Sequence, residues 1–116
     1  MPSRPLSKGD VVVVLYPFSD GSGSKPRPAV VVSDDLTNVQ SRDVILAQVT
    51  SRVNGPLQPG EHVLVDWRAA NLDVPSKVKA GRLVTVEKGE VKRVIGRLSP
   101  DDLAAVQAGL RKVLGL

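Results

Sequence analysis

The stretch GDVVVVLYPFSDGSGSKPRPAVVVS, residues 9–33, holds two runs of valine separated by a segment rich in glycine, serine and proline. Runs of β-branched residues favour strands, and the small residues and prolines between them favour a loop. Because Val11–Leu15 is apolar at consecutive positions, both faces of that strand must be covered. The stretch predicts a central strand with the core on one side and a helix or second subunit on the other. A projecting loop over Pro17–Pro28 and a second buried strand follow it.

Short valine-rich segments with turn residues between them continue along most of the chain. The predicted strands are Val11–Tyr16, Ala29–Ser33, Asp43–Thr50, Glu61–Trp67, Arg82–Glu87 and Val91–Leu98. This rhythm is typical of a mainly β protein, a small barrel or tightly curled sheet of five to seven short strands. The length of 116 residues predicts a single domain over residues 1–116.

The last element of the chain has the pattern of an α-helix. Ser99 is a suitable N-cap, and Pro100 fits the first helical position. The apolar residues that recur at helical spacing predict one stripe packed on the sheet: Leu103, Val106, Leu110, Val113 and Leu114. A second, shorter helical turn is predicted over Ser33–Val39.

The composition limits the chemistry that the chain can perform. There is no cysteine, so disulfides, thiolate catalysis and thiolate metal sites are excluded. His62 is the only histidine, which argues against a zinc or iron site built from imidazoles but leaves a carboxylate site for a hard cation open. The formal net charge of +4 favours polyanionic partners. No apolar run resembles a signal peptide or spans a membrane, so we expect a cytoplasmic protein without a membrane partner.

Two polar features stand at the ends of predicted strands. Arg27 lies between two prolines, which hold it on a stiff, extended backbone where a planar guanidinium suits bidentate contact with a phosphate. Thr50 and Ser51 end the third strand with hydroxyl groups on opposite faces, and Arg52 adds a positive charge. Each feature by itself is more typical of an ordinary surface strand than of a functional site.

The order of these motifs resembles the MazF/PemK/Kid toxins of bacterial toxin–antitoxin systems. The resemblance runs from Gly9 to about Leu114 and is carried by residues 9–33, VILAQVTSR, NLDVPSKVKAGRLVTVEKG and VIGRLSPDDLAAV. It implies an SH3-like barrel that forms a homodimer and cleaves single-stranded RNA as an endoribonuclease, with no metal or other cofactor. It also implies a partly disordered, acidic antitoxin that fills the RNA groove.

The resemblance also assigns roles to individual residues. It implies a catalytic arginine at Arg27, a catalytic threonine at Thr50, and attack of a ribose 2′-OH on the adjacent phosphorus. Asp73 lies near the position of an acidic catalytic residue in some members, and the arginine that accompanies it there is Asn71 here. Asp73 is therefore the favoured general base, with His62 as the alternative. The predicted RNA-binding residues are Phe18, Ser22, Lys25, Ser51 and Arg52.

Two other functions stay open at this point. A non-catalytic nucleic-acid-binding barrel of the same fold would bind RNA in a salt-dependent way without cleaving it. A protein-interaction barrel would bind no RNA, and its basic charge would be incidental. The presence of both Arg27 and Thr50 favours the enzyme. Of the few aromatic residues, Phe18 is the one expected at the RNA, and Trp67 is expected in the core or at a dimer interface.

Overall fold

The computed structural model describes residues 4–15 and 25–116. Within these segments the strands are β1 (Asp10–Val14), β2 (Arg27–Val31), β3 (Asp43–Thr50), β4 (Glu61–Val63), β5 (Lys77–Glu87) and β6 (Val91–Arg97). The helices are α1 (Asp35–Gln40) and α2 (Pro100–Leu114), and a short 3-10 turn at Lys88–Glu90 precedes β6. The mainly β class with a C-terminal helix is therefore confirmed. α1 also matches the short helical turn predicted over Ser33–Val39, with a start two residues later.

The strands form one antiparallel sheet of order β4-β5-β3-β2-β1-β6. The sheet curls, because one buried cluster collects side chains from β1, β2, β3, β5 and β6. Among the described residues the hydrogen-bond ladder does not join β4 to β6, so the barrel stays open. β1 lies between β2 and β6, which confirms the prediction that it is not an edge strand.

Two hydrophobic cores lie on the two faces of this curled sheet. The strand-side core consists of Leu6, Val12, Val14, Ala29, Val31, Val44, Leu46, Val86 and Val91. The helix-side core consists of Val11, Val30, Ala47, Val49, Leu64, Ala70, Val78, Leu98 and Val106. β1 contributes to both cores, so its continuous run of valine is explained by burial on two sides. Val106 belongs to α2, and the helix is therefore the cover predicted for the second face.

The predicted N-cap of α2 is confirmed, because Ser99 Oγ accepts a hydrogen bond of 3.2 Å from the backbone N–H of Asp102. The apolar stripe packs on the helix-side core as far as Leu110. Its last members, Val113 and Leu114, are 39% and 54% exposed, so the stripe is buried only over part of the predicted length.

The strand predicted over Glu61–Trp67 is shorter in the structure and ends at Val63. The backbone N–H groups of Val65 and Asp66 donate to the carboxylate of Asp102 at 3.0 and 2.8 Å, and are therefore not available to a strand ladder. Trp67 packs at the margin of the helix-side core, which agrees with one of its two predicted locations.

The strand predicted over Arg82–Glu87 is longer in the structure and begins at Lys77. The register against β3 shifts between Ala47 and Gln48, so an irregularity joins two paired halves of β5. Lys77 is buried and its Nζ lies 2.7 Å from Oε1 of Glu61 in β4. This half of the strand lacks a regular apolar pattern, because it begins with a buried lysine and its ladder is interrupted.

The Gly-Asp pair that precedes β1 has a structural role. Gly9 has φ +94°, and its backbone N–H and C=O bond to β2 and to Leu98 respectively. The fully buried carboxylate of Asp10 accepts hydrogen bonds from the backbone N–H of Ser7 and the guanidinium groups of Arg4 and Arg97, at 2.8 to 3.1 Å. These bonds fix the start of β1 against the end of β6.

Candidate active site

A cleft of about 580 Å³ opens where β2 begins and β3 ends. Its walls come from β1, β2, β3, β6 and the segments that follow β3 and precede β5. The predicted site residues that line it are Lys25, Arg27, Thr50, Ser51, Arg52 and Asp73. Phe18 and Ser22 lie outside the described residues. Every predicted site residue that the structure describes therefore lines this one cleft, apart from the alternative base His62.

The pairing of β2 with β3 brings two of these residues together from distant parts of the sequence. Ala29 pairs with Gln48, and the strands run antiparallel. Continuing this register by two residues in each strand sets Arg27 level with Thr50 at the same end of the sheet. Arg27 is the first residue of β2 and is paired with Val14 of β1, so its backbone is held within the sheet.

The hydroxyl group of Thr50 has a defined orientation. Its Oγ1 atom accepts a hydrogen bond of 3.2 Å from the backbone N–H of Arg52, two residues later. This local bond fixes the side chain where the chain turns away from β3. A threonine hydroxyl has one donor hydrogen in addition to its lone pairs, so the O–H remains able to donate into the cleft.

The cleft is strongly biased towards positive charge. Among the described residues that line it, the cationic side chains are Lys25, Arg27, Arg52 and Arg93, whereas Asp73 is the single carboxylate. A concave surface with one excess sign of charge concentrates ligands of the opposite sign. The arrangement is therefore suited to a polyanion that carries several phosphates.

The segment that carries Asp73 is attached to β6 by two close contacts. Asn71 has φ +62°, and its Nδ2 donates a hydrogen bond of 2.7 Å to the carbonyl of Ile95. Ile95 lies at a register shift of β6 against β1, where a bulge leaves a residue outside the regular ladder. A side chain at Gly96 would place its Cβ 2.2 Å from the carbonyl oxygen of Ala70. Asn71 and Gly96 thus set the position of Asp73 relative to the sheet.

His62, the alternative base, does not line this cleft. Its Nε2 atom lies 2.8 Å from Oδ1 of Asp102, which is buried beside α2. Burial alone would raise the pKa of Asp102. The hydrogen bonds from the Val65 backbone, from His62 and from the Asp66 backbone outweigh it and hold that pKa below its usual value. The histidine therefore serves a structural carboxylate away from the cleft.

Several cleft residues were not singled out from the sequence. Arg93 and Ile95 of β6, Gln48 of β3 and Ser76 before β5 also line the cleft. The Oε1 atom of Gln48 is buried and has no hydrogen-bond partner in the described part of the chain. The alternation along β3 places Gln48 and Thr50 on one face, and this pattern could have predicted Gln48 as a cleft residue.

Within residues 4–15 and 25–116, no group of three or more His, Cys, Asp or Glu side chains is arranged to hold a metal ion. In the same segments no helix combines the length and the apolar composition needed to cross a bilayer.

Comparison with known proteins identifies the family. The family model described as PemK-like, MazF-like toxin of type II toxin-antitoxin system matches residues 7–114. The crystal structure of MazF (Form-I) from Deinococcus radiodurans is 25% identical, with a TM-score of 0.76 over 98% of this chain and 100% of that chain. The MazE-MazF structure (Form-II) from the same organism is also 25% identical, with a TM-score of 0.74 over 98% and 99% of the two chains.

A third structure, an endoribonuclease in complex with its cognate antitoxin from a Mycobacterial species, shares the fold. It is 20% identical, with a TM-score of 0.76 over 96% of each chain. The family model spans nearly the whole sequence, and the motifs from Gly9 onwards fall within the matched region. The resemblance seen in the sequence is confirmed, and the chain belongs to the PemK-like, MazF-like toxins of type II toxin–antitoxin systems.

Proposed function

We propose that this toxin is an endoribonuclease that cleaves single-stranded mRNA in the cytoplasm by intramolecular transesterification. The observation that carries the proposal is the convergence of Arg27, Thr50 and Asp73, from three separate parts of the sequence, on one positively charged cleft. A non-catalytic barrel would need the positive charge but not this combination of groups. Solved structures with the same fold carry the name endoribonuclease, which supports the same activity.

In the proposed reaction the ribose 2′-oxygen attacks the adjacent phosphorus. A new 2′-O–P bond forms, the P–O5′ bond breaks, and the products are a 2′,3′-cyclic phosphate and a 5′-OH. The 2′-OH proton passes to a base, and the departing 5′-oxygen takes up a proton. Negative charge grows on the two non-bridging oxygens of the phosphoryl group, so preorganised donors aimed at those oxygens lower the barrier.

Arg27 is the proposed main donor to these oxygens. A guanidinium presents parallel N–H groups that match two phosphoryl oxygens, and it stays protonated throughout the reaction. Its backbone is fixed between two prolines and paired within the sheet, so little conformational entropy is lost when it binds.

Thr50 is the proposed second donor. Its oxygen already accepts the N–H of Arg52, and the remaining O–H would donate to a phosphoryl oxygen. Asp73 is the proposed base, because it is the single carboxylate among the described cleft residues and its segment is anchored on β6. A positioned carboxylate typically accelerates such a proton transfer by about 100-fold to 10,000-fold.

We further propose that the toxin is a homodimer that binds an acidic antitoxin. The excess of positive charge in the cleft complements an acidic segment as well as RNA. MazE-MazF structures with the same fold support a protein partner of this kind. Light scattering after size-exclusion chromatography, with and without an acidic antitoxin encoded in the same operon, measures both assemblies.

The deciding experiment incubates the purified protein with a long single-stranded RNA in EDTA and sequences the new ends. We expect cyclic-phosphate ends at a recurrent short motif, and no products from the Arg27→Ala and Thr50→Ala variants at unchanged circular dichroism. Equal activity in the wild type and both variants would reject the proposed site, and intact RNA with the wild type would reject the activity.

A further inference from the structure

Arg93 is a cleft residue that neither the sequence patterns nor the family resemblance assigned. It lies on β6, it is exposed, and it lines the same cleft as Arg27 and Thr50. In the described segments its guanidinium has no carboxylate within ion-pair distance and no hydrogen-bond partner. A cleft cation without a partner among the described residues is available to an external anion.

A β-bulge determines the side of the sheet on which Arg93 lies. In the pairing of β1 with β6, Val13 is opposite Arg93 and Val14 is opposite Val91, so Lys92 is an extra residue. In a regular strand that paired all three residues, strict alternation would put positions 91 and 93 on the same face. Val91 is buried in the strand-side core, so the bulge turns Arg93 away from that core and towards the cleft.

The position of Arg93 relative to Arg27 follows from the same register. Arg93 is opposite Val13, and Val13 is opposite Pro28, the residue after Arg27. The backbones that carry the two arginines are therefore two strands apart, about 10 Å at the usual strand spacing. They reach the cleft from separate strands, so each can contact a different phosphate of one RNA strand.

We propose that Arg93 forms a second phosphate-binding subsite, which holds a phosphodiester next to the scissile one in single-stranded RNA. The inference rests on the proposed function, since it names a further contact of the same substrate. Arg93 acts in binding and in setting the register of the RNA, whereas Arg27 acts on the reacting phosphate. The loss of Arg93 therefore weakens RNA binding and leaves the chemical step nearly unchanged.

The first test compares Arg93→Ala with Arg82→Ala. Arg82 is an exposed arginine of β5 outside the cleft, so its variant loses the same charge and side chain. For an oligonucleotide containing the cleaved motif, we expect Arg93→Ala to raise KM about 10-fold or more with kcat within about 3-fold. The slope of log Kd against log salt should fall by about 0.7, the value for one phosphate contact on a single strand. Arg82→Ala should leave KM and the slope unchanged.

The second test locates the phosphate. A non-cleavable oligonucleotide with a 2′-deoxy nucleotide at the cleavage position is made with a neutral methylphosphonate at each phosphate in turn. The proposal predicts one position, next to the scissile phosphate, at which the wild type and Arg93→Ala bind equally well. The proposal would be overturned if the two proteins bound equally well only at the scissile phosphate, or at no position. It would also be overturned if Arg93→Ala raised KM no more than Arg82→Ala does.

Failure of this inference is distinct from failure of the proposed function. If the wild type cleaves RNA and Arg93→Ala cleaves with an unchanged KM, the subsite is rejected and the ribonuclease activity stands. If the wild type cleaves no RNA, the activity is rejected before Arg93 is tested. Far-UV circular dichroism and the thermal midpoint of both variants report whether the fold is preserved.

Discussion

His62 Nε2 lies 2.8 Å from Oδ1 of Asp102, and the same carboxylate accepts the backbone N–H groups of Val65 and Asp66. One buried carboxylate thus joins the start of α2 to the chain that follows β4. The contact assigns the single histidine of the sequence to the fold rather than to the cleft. It also makes the stability of the protein dependent on pH.

Asp102→Asn should lower the free energy of unfolding at neutral pH by about 2–4 kcal/mol, because it leaves buried donors without their charged acceptor. The folded-state pKa of Asp102 is lowered. The Asp102 carboxylate therefore contributes fully to the free energy of unfolding above the unfolded-state pKa of about 3.9. This contribution is lost as the pH falls through the folded-state pKa. Urea unfolding from pH 7 to pH 3 should show the wild type and the variant converging in acid. An equal difference at every pH would contradict this account.

Thr50→Val and Thr50→Ser separate the hydroxyl from the shape of the side chain. Thr50→Val should lower kcat about 100-fold to 1000-fold, because it removes a donor to the reacting phosphoryl group. Thr50→Ser keeps the O–H and the acceptor for the Arg52 N–H, so it should stay within about 10-fold of the wild type. Single-turnover cleavage of a short RNA gives both values. Comparable loss in the two variants would indicate a packing role instead.

Asp73→Asn tests the base. The amide cannot accept the 2′-OH proton, so kcat should fall about 100-fold or more while KM changes little. His62→Gln is the matched comparison, since it changes the other candidate base outside the cleft. It should lower the thermal midpoint and leave kcat at the temperature of the assay nearly unchanged. The opposite pattern, with Asp73→Asn fully active, would return the role of base to His62.

Gly96→Ala should disturb the cleft although Gly96 does not line it. The new Cβ would lie 2.2 Å from the carbonyl oxygen of Ala70, and backbone cannot move aside as a side chain can. We expect a loss of about 1–3 kcal/mol in stability and reduced cleavage, because the segment carrying Asp73 must shift. Gly89→Ala is the control, since a Cβ there meets no atom within 4 Å. If the Gly96→Ala and Gly89→Ala variants cleaved RNA at the same rate, this contact would not position Asp73.

Gly109→Ala tests the contact between α2 and the turn before β4. An alanine normally stabilises a helix by about 1 kcal/mol relative to glycine. Here the Cβ would lie 2.9 Å from the carbonyl oxygen of Gly60, so we expect a net loss of about 1–2 kcal/mol in the free energy of unfolding. Gly81→Ala meets only the side chain of Val113 at 3.6 Å and should be much milder. A Gly109→Ala variant more stable than the wild type would contradict the close approach of α2 to Gly60.

The features that could be predicted from the sequence are those carried by local chemistry. The valine runs of β1 and β2 and the cap of α2 at Ser99 are short-range patterns, and the structure has them as expected. The grouping of Arg27 with Thr50 required the family resemblance, because the two residues belong to different strands and their proximity depends on the pairing of β2 with β3.

The remaining features depend on contacts that no local pattern encodes. The first half of β5 is concealed by an irregular register and by the buried pair of Lys77 and Glu61. The end of β4 depends on a carboxylate that lies some 40 residues away along the chain. Arg93 was not predicted as a site residue, because a bulge interrupts the two-residue period from which strand faces are inferred.

The extra residue at Lys92 also means that β6 holds one amino acid more, between Val91 and Arg93, than the facing stretch of β1. An in-frame deletion of that one codon would make Val91 and Arg93 neighbours, and regular alternation would then keep them on opposite faces, with Arg93 still on the side of the cleft. A gapless alignment, matched at Val91, with a relative that lacks the extra residue would pair Arg93 with the counterpart of Val94, which packs against the strand-side core. A cleft arginine at this place in β6 can therefore keep its position in two structures while a gapless sequence alignment sets it against a core residue.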